Sequence, residues 1–177
     1  MRRILCSGLL IVFIASCKRA EPAVYLIPQD YKGVIAVVYS QKIGSGEKIV
    51  NGRRQFIIPN NGILLTQMGF SDGGRDDLFL IKTVNGYDTL KSYLPNKDTT
   101  GKKFGGDYYK IYTNDSNQVA LNFRQIINSS LPSKQSGKSC NFEYELITIG
   151  RAATLSDSTG KIFTERLDAY LQDSVCN

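Results

Sequence analysis

Short apolar runs separated by turn residues dominate the chain between residues 24 and 67. Residues 34–39 are apolar throughout and of strand length rather than helix length. Residues 56–58 form a second run, which ends at Pro59 because proline has no N–H for a ladder. The turn residues 60–62 then precede a third strand at 63–66. This spacing predicts an antiparallel sheet, since a βαβ unit needs a helical crossover.

Alternate positions along these runs are the candidates for the core, although the pattern leaves open which alternate set faces inward. The candidates are Tyr25, Ile27, Val34, Val37, Tyr39, Phe56, Ile58, Ile63 and Leu65.

The second half of the chain has further strand signals. Residues 78–84 read as a strand, and the turn pair Asn85-Gly86 predicts a hairpin into residues 87–90. Residues 142–149 alternate and then become more apolar, which predicts another strand. Residues 164–173 predict a short amphipathic helix capped by Thr164. Its predicted buried face consists of Leu167, Tyr170 and Leu171.

The segment 114–132 fits two secondary structures. A helical stripe would contain Val119, Phe123, Ile126 and Ile127, with Asp115 or Ser116 as its cap. A strand would instead align Val119, Leu121 and Phe123 on one face. Both interpretations remain open, and we favour a helix that ends near Asn128.

The first sixteen residues carry the features of a signal peptide. Arg2 and Arg3 form a basic start, and residues 4–14 form an apolar stretch that is too short to span a membrane. The sequence Ile14-Ala15-Ser16-Cys17 resembles a lipobox, which predicts diacylglycerol on Cys17. We therefore expect a signal peptide at 1–16, a lipidated tether at 17–23 and one domain at 24–177.

The apolar block contains four short motifs: Tyr25-Leu26-Ile27-Pro28, Tyr31-x-Gly33, Ile58-Pro59-x-x-Gly62-Ile63-Leu64 and Thr66-Gln67. Together they resemble a family of secreted and lipid-anchored bacterial domains of unknown function. That family is similar to transthyretin-like β-sandwiches, so the resemblance implies a mainly β, antiparallel transthyretin- or Ig-like sandwich, here with a short C-terminal helix. It implies no activity and no functional residue.

Charge and processing restrict the partners. Removing the signal peptide leaves 20 basic against 16 acidic residues, a net charge of +4. This value is too small to indicate nucleic-acid binding, whereas it suits an anionic lipid or glycan surface. The tether from Lys18 to Ala23 reaches only about 20 Å, so the domain should lie close to its membrane. Lys18, rather than Asp, follows the lipidated residue, which makes the outer membrane the expected location.

Two of the four cysteines remain for the folded domain after processing. Cys6 leaves with the signal peptide and Cys17 carries the lipid, so Cys140 and Cys176 remain as a pair in an oxidising compartment. We expect a disulfide between them, with Cα atoms roughly 4.4 to 6.8 Å apart. It would fix the C-terminal helix to the start of the last strand.

The sequence lacks the residues on which many catalytic mechanisms depend. The chain contains no His, which excludes histidine bases and histidine metal ligands, and we expect neither a metal nor a cofactor. Glycosidase chemistry needs only two carboxylates, for which Asp107, Glu143 and Glu145 are candidates. However, Glu143 and Glu145 would share one strand face, which a solvent-facing edge also explains. We expect a non-enzyme, with a carboxylate-dependent hydrolase of envelope polysaccharide as the alternative.

One basic and aromatic stretch is a candidate binding patch for a polyanion or glycan, because aromatic rings can stack while lysines supply charge. A hairpin with lysines protecting its edge explains the same residues. The patch comprises Lys102, Lys103, Phe104, Tyr108, Tyr109 and Lys110. The expected function is therefore an envelope lipoprotein that binds or scaffolds a protein, glycan or lipid partner.

Overall fold

The computed structural model describes residues 21–71, 76–93, 118–133, 136–150 and 157–176. These residues form nine strands in one sheet and one C-terminal helix. The strands are β1 Ala23–Ile27, β2 Gly33–Tyr39, β3 Ile49–Val50, β4 Arg53–Ile57, β5 Ile63–Leu65, β6 Leu78–Thr83, β7 Gly86–Tyr93, β8 Val119–Pro132 and β9 Ser139–Gly150, and the helix is α1 Asp157–Ser174.

The sheet has mixed strand directions, in the order β3-β4-β1-β6-β7-β8-β9-β2-β5. The pairs β1–β4, β1–β6, β2–β5 and β7–β8 are parallel, and the others are antiparallel. The prediction of a mainly β fold with a C-terminal helix is confirmed, whereas the predicted antiparallel sandwich is wrong. The reason is that the predicted strands pair differently: β4 lies beside β1 and β5 lies beside β2, and both pairs are parallel.

The sheet is strongly curled. Five strand spacings separate β1 from β2 in the hydrogen-bonded order, which would be about 24 Å in a flat sheet. Nevertheless Tyr25 of β1 and Tyr39 of β2 both hydrogen-bond to Glu145 of β9, each over 2.6 Å. The two halves of the sheet therefore face each other across one interior, in the form of a half-barrel.

β2 is buried on both faces, which explains its uninterrupted apolar sequence. Ile35, Val37 and Tyr39 point into the curled interior, and the alternate side chains point toward α1. Both alternate sets therefore belong to a core. Of the nine core candidates, all are buried except Leu65, which is half-buried at the edge strand β5.

α1 covers the outer surface of the β2, β8 and β9 region. Phe163, Leu167 and Leu171 are buried there against β2 and β9, while Tyr170 is only partly buried. The helix begins at Asp157 rather than near Thr164, so the predicted cap is wrong and Thr164 lies inside the helix. Gly160 costs about 1 kcal/mol of helix propensity, but burial of Phe163 against the sheet compensates for it.

The C-terminal end of α1 is fixed covalently. Cys176 forms a disulfide with Cys140 at the start of β9, and their Cα atoms lie 5.9 Å apart, inside the expected range. Gln172 also donates to the carbonyl of Pro132 at the end of β8, over 3.1 Å. These two links hold the last turn of the helix on the sheet.

The segment that fits either a helix or a strand is a strand. β8 forms eleven registered pairs with β9, and this long-range ladder overrides the helical stripe that favoured a helix. Between Asn122 and Ile126 the register shifts, since four steps along β8 oppose two along β9. The hairpin at Asn85-Gly86 and the strand at 142–149 are confirmed as β6–β7 and β9.

Two of the quoted motifs, those that contain Tyr31 and Gly62, meet at the start of β2. The Tyr31 hydroxyl donates to the carbonyl of Val34 over 2.6 Å and lies against Gly62. Gly62 has φ of +76°, and a Cβ there would lie 1.9 Å from that hydroxyl. Position 62 therefore requires glycine both for its backbone and for this close approach.

Candidate functional site

Among the described residues, the interior of the curled sheet contains one buried carboxylate. Glu145 lies on β9 with 2% of its surface exposed, and its register partner is Val37 on the inner face of β2. Its Oε1 accepts hydrogen bonds from the hydroxyls of Tyr25 and Tyr39, both over 2.6 Å. We refer to Glu145, Tyr25 and Tyr39 as the Glu–Tyr cluster.

Aromatic packing positions the two tyrosines. The Tyr25 ring stacks on Phe79 with centroids 4.8 Å apart and is tilted against Phe56 at 5.2 Å. The parallel register places these three residues directly beside one another on β4, β1 and β6. Tyr39 meets Phe70 edge-on at 5.4 Å. Both hydroxyls are therefore aimed at Glu145 by rings that have little freedom to rotate.

Burial raises the pKa of Tyr25 and of Tyr39 well above the ordinary value, and the negative charge of Glu145 raises both pKa values further. For Tyr39 the nearby Arg54 guanidinium acts in the opposite direction but does not reverse the shift. Both tyrosines therefore remain neutral in the folded protein and act as hydrogen-bond donors to the carboxylate.

Arg54 is a buried cation at the seam between β4 and the segment after β5. It is 5% exposed, donates to the carbonyl of Gly69 over 2.6 Å and lies 5.6 Å from the centre of the Phe56 ring. Its Nε approaches the half-exposed Glu21 only to 4.0 Å, which is too long for a hydrogen bond, and so that Nε has no hydrogen-bond partner. Arg54 thus bridges the seam mainly through its backbone acceptor and its ring contact.

A polar cleft of about 560 Å³ opens beside the Glu–Tyr cluster, at the end of β2, near the end of β8 and near the start of β9. Tyr39 forms part of its lining, so the cleft and the cluster share one side chain. The lining is rich in amide and hydroxyl groups and contains one carboxylate, Glu143. The polar lining residues are Ser40, Gln41, Asn128, Ser129, Ser130, Asn141 and Glu143. Ser40 has φ of +58°, an uncommon conformation for a residue with a side chain.

Two of the three candidate carboxylates lie in different surroundings: Glu143 lines the cleft, and Glu145 belongs to the Glu–Tyr cluster. Glu143 and Glu145 lie on one face of β9, as predicted, but that face is the curled interior rather than a solvent-facing edge. Only Glu143 is exposed, in the cleft, while Glu145 is enclosed by tyrosines. Asp107 lies outside the described residues. The arrangement can bind polar groups at the mouth of the sheet with a fixed buried charge behind them.

The other predicted site residues fall into two groups. Cys140 and Cys176 are brought together by the fold. Cys17 and the whole basic and aromatic patch (Lys102, Lys103, Phe104, Tyr108, Tyr109 and Lys110) lie outside the described residues and stay predictions.

The sequence reasoning did not identify Tyr25 and Tyr39 as partners of Glu145. The available signal was the change in β9 from alternating to apolar on both faces after Tyr144, which indicates burial on both sides and places Glu145 at its boundary. The pairing with tyrosines 120 and 106 residues away depends on the curl of the sheet and has no local signal.

Two further features concern metals and membranes. Among the described residues no group of three or more Cys, Asp or Glu side chains is placed to hold a metal ion. Asp77, just before β6, accepts a hydrogen bond from the Ala23 N–H over 2.8 Å and so joins the starts of β1 and β6. No helix in the described ranges is long and apolar enough to cross a membrane.

Comparison with solved structures finds the same fold in a crystal structure named "Putative Lipoprotein from Bacillus anthracis". The two chains are 13% identical, the TM-score is 0.56, and the match covers 89% of this chain and 98% of the other. At this identity the likeness shows the fold alone. No curated protein matches the sequence.

The fold defines a class: a curled, mixed β-sheet with one disulfide-linked C-terminal helix, as described above. Within it, residues 19–157 match the family of unknown function DUF6843, and the chain belongs to that family. The matched range includes the whole sheet with the Glu–Tyr cluster and the cleft. The expected membership in a bacterial family of unknown function is confirmed.

The raised tyrosine pKa values predict a loss of stability in alkali. The unfolded chain releases the two tyrosine protons near pH 10, whereas the folded chain retains them. The stabilisation is therefore fully present below about pH 10, and the free energy of unfolding falls as the pH rises further, with a limiting slope of about 1.4 kcal/mol per pH unit for each tyrosine. Urea unfolding between pH 9 and 11 measures this slope.

The control for this experiment is the double variant Tyr25→Phe/Tyr39→Phe, in which the free energy of unfolding should fall by about 3 kcal/mol less between pH 9 and pH 11. Equal slopes in the two proteins would show that neither hydroxyl is protected from ionisation in the folded state.

Proposed function

We propose that this protein is a lipid-anchored, non-catalytic binding protein of the bacterial cell envelope. The observation that carries the proposal is the position of Ile14-Ala15-Ser16-Cys17, which ends only six residues before β1 begins at Ala23. Lipidation of Cys17 would place the folded domain directly at a membrane surface, because the tether reaches about 20 Å.

Two further observations support an envelope location. The Cys140–Cys176 disulfide suits an oxidising, extracytoplasmic compartment. The protein with the same fold carries the name "Putative Lipoprotein from Bacillus anthracis". The choice of the outer membrane rests only on Lys18 after the lipidated residue, and it is a finer proposal than envelope association.

The cleft is the proposed ligand site. Its serine, asparagine and glutamine side chains offer hydrogen bonds to hydroxyl and amide groups, which favours an uncharged polar ligand such as an envelope glycan. The buried Glu–Tyr cluster holds Tyr39 rigid behind this surface. A rigid site binds its ligand at a lower cost in conformational entropy.

The alternative is a carboxylate-dependent hydrolase of envelope polysaccharide, in which Glu143 would pair with a second acid. The enclosure of Glu145 favours the non-catalytic proposal, since a carboxylate that accepts two tyrosine hydrogen bonds in the interior is directed away from a ligand in the cleft. The polyanion patch at residues 102–110 would be an additional surface of the binding protein.

Replacement of Cys17 tests the anchor. Cys17→Ala should abolish metabolic labelling with a fatty acid and release the protein from membranes, because the acyl chains supply about 0.8 kcal/mol per buried CH₂. Ser16→Gly, which keeps a small residue before the cysteine, should remain labelled. Equal labelling and retention of wild type and Cys17→Ala would contradict the proposal.

Glycan binding without cleavage tests the cleft. With soluble N-acetylglucosamine oligosaccharides as the probe, Asn128→Leu should weaken binding about tenfold, because it removes an exposed amide that could hydrogen-bond to the ligand without touching the core. The matched control is Asn85→Leu at the β6–β7 turn, which should bind as the wild type does. Calorimetry gives the affinity.

The same incubation distinguishes binding from hydrolysis. New reducing ends should not appear in the presence of the wild-type protein. If they do appear, and if Glu143→Gln abolishes them, the protein is a hydrolase and the non-catalytic proposal is wrong.

A further inference from the structure

The sheet half formed by β4, β1, β6 and β7 has an apolar outer face. The parallel register aligns Leu26 with Ile57 on one side and with Leu80 on the other, so these three side chains form a row across three strands. The row lies opposite Tyr25, Phe56 and Phe79, which point into the interior. Ile57 is 57% exposed, and Leu26 and Leu80 are half-buried. We call this surface, with its neighbour Tyr87, the outer face.

α1 does not lie on this surface. Its buried residues pack on β2, β8 and β9, on the other half of the sheet. Tyr87, which is paired with Lys82 and therefore points outward, is 51% exposed, and Val84 at the adjoining turn is 85% exposed. Exposed apolar groups thus continue along the outer face from β4 to the tip of the β6–β7 hairpin.

The charges of the outer face have one sign. At the outward positions of β4, β1, β6 and β7 the charged residues are Arg53, Lys82 and Lys91, and no acidic residue occupies such a position. Asp88, the acidic residue of β7, is paired with Ile81 and points inward. An apolar surface with basic residues around it is complementary to the interface of an anionic lipid bilayer.

The proposed anchor precedes this half of the sheet in the chain. The tether enters β1 at Ala23, and β1 lies between β4 and β6 in the sheet. We propose that the outer face lies on the surface of the anchoring membrane, with Ile57 and Tyr87 in the headgroup region and Lys82 near anionic lipid. This proposal rests on the proposed lipidation of Cys17 and adds an orientation: the membrane contacts one defined half of the sheet.

The outer face and the cleft lie on different surfaces of the sheet. The cleft is lined mainly by inner-face residues of β2, β8 and β9, such as Tyr39, Asn128 and Glu143, whereas the outer face belongs to the convex side of β4, β1, β6 and β7. A domain that rests on the outer face would therefore leave the cleft open to a ligand.

Probe accessibility on the full acylated protein tests the orientation. Tyr87→Cys and, as a matched control, Ile162→Cys on the exposed side of α1 each provide one attachment point for a nitroxide, since both replaced side chains are exposed. The native Cys140 and Cys176 are joined in the disulfide. The labelled proteins are placed in vesicles of phosphatidylglycerol and phosphatidylcholine. Relaxation by a water-soluble nickel chelate then reports the exposure of each probe.

The expected result is at least about fivefold lower chelate access at position 87 than at position 162, because a side chain in the headgroup region is shielded from water-soluble reagents. Lys82→Glu/Lys91→Glu should reduce that protection in anionic vesicles. Equal access at the two positions overturns the proposal. Protection that disappears when the protein is diluted in excess lipid also overturns it, because the occupant would then be a second copy of the chain.

Flotation of the vesicles separates this proposal from the anchor. If the protein floats but both probes are equally accessible to the chelate, the anchor is supported and the membrane-facing orientation is wrong. Wild-type protein that does not float contradicts both.

Discussion

A buried carboxylate shared by two tyrosine hydroxyls is the interaction on which the curled sheet depends. Glu145 belongs to β9, Tyr39 to the adjacent β2, and Tyr25 to β1 on the far half of the sheet. A buried charge without partners costs several kcal/mol, so the fold must bring both hydroxyls to it. Strand pairing alone would also allow a flat sheet, in which Tyr25 could not reach Glu145. The hydrogen bonds of Glu145 to both tyrosines therefore favour the curled, half-barrel arrangement of the sheet.

The two faces of the sheet are completed in different ways. The inner face is filled by the sheet itself as it curls, whereas the outer face of the β2 and β9 region needs α1, which the disulfide and Gln172 fix at its C-terminal end. The outer face around Ile57 receives no such cover from the helix. The same asymmetry gives the protein a concave polar cleft on one side and the proposed membrane-facing surface on the other.

The sequence predicted local features well and long-range ones poorly. The apolar run of β2, the Asn85-Gly86 hairpin and the cysteine pair each have a signal within a few residues or in the count of cysteines. The parallel pairing of β1 with β4 and β6 has no such signal, because β-strand propensity does not specify the neighbour or its direction. The sequence likewise does not show which other strands lie opposite β9, so a solvent-facing edge explained Glu145 as well as a buried position did. The helix that we predicted to end near Asn128 does not form, because residues 119–132 pair with β9 as a strand.

The most direct test of the Glu–Tyr cluster is the free energy of unfolding in two backgrounds. In the wild type, Tyr25→Phe/Tyr39→Phe should destabilise by about 2–5 kcal/mol, because Glu145 loses two donors. In a Glu145→Leu background the same two substitutions should stabilise the protein, because they remove two buried hydroxyls that have lost their acceptor. Destabilisation of similar size in both backgrounds would show that Glu145 does not hold the two tyrosines.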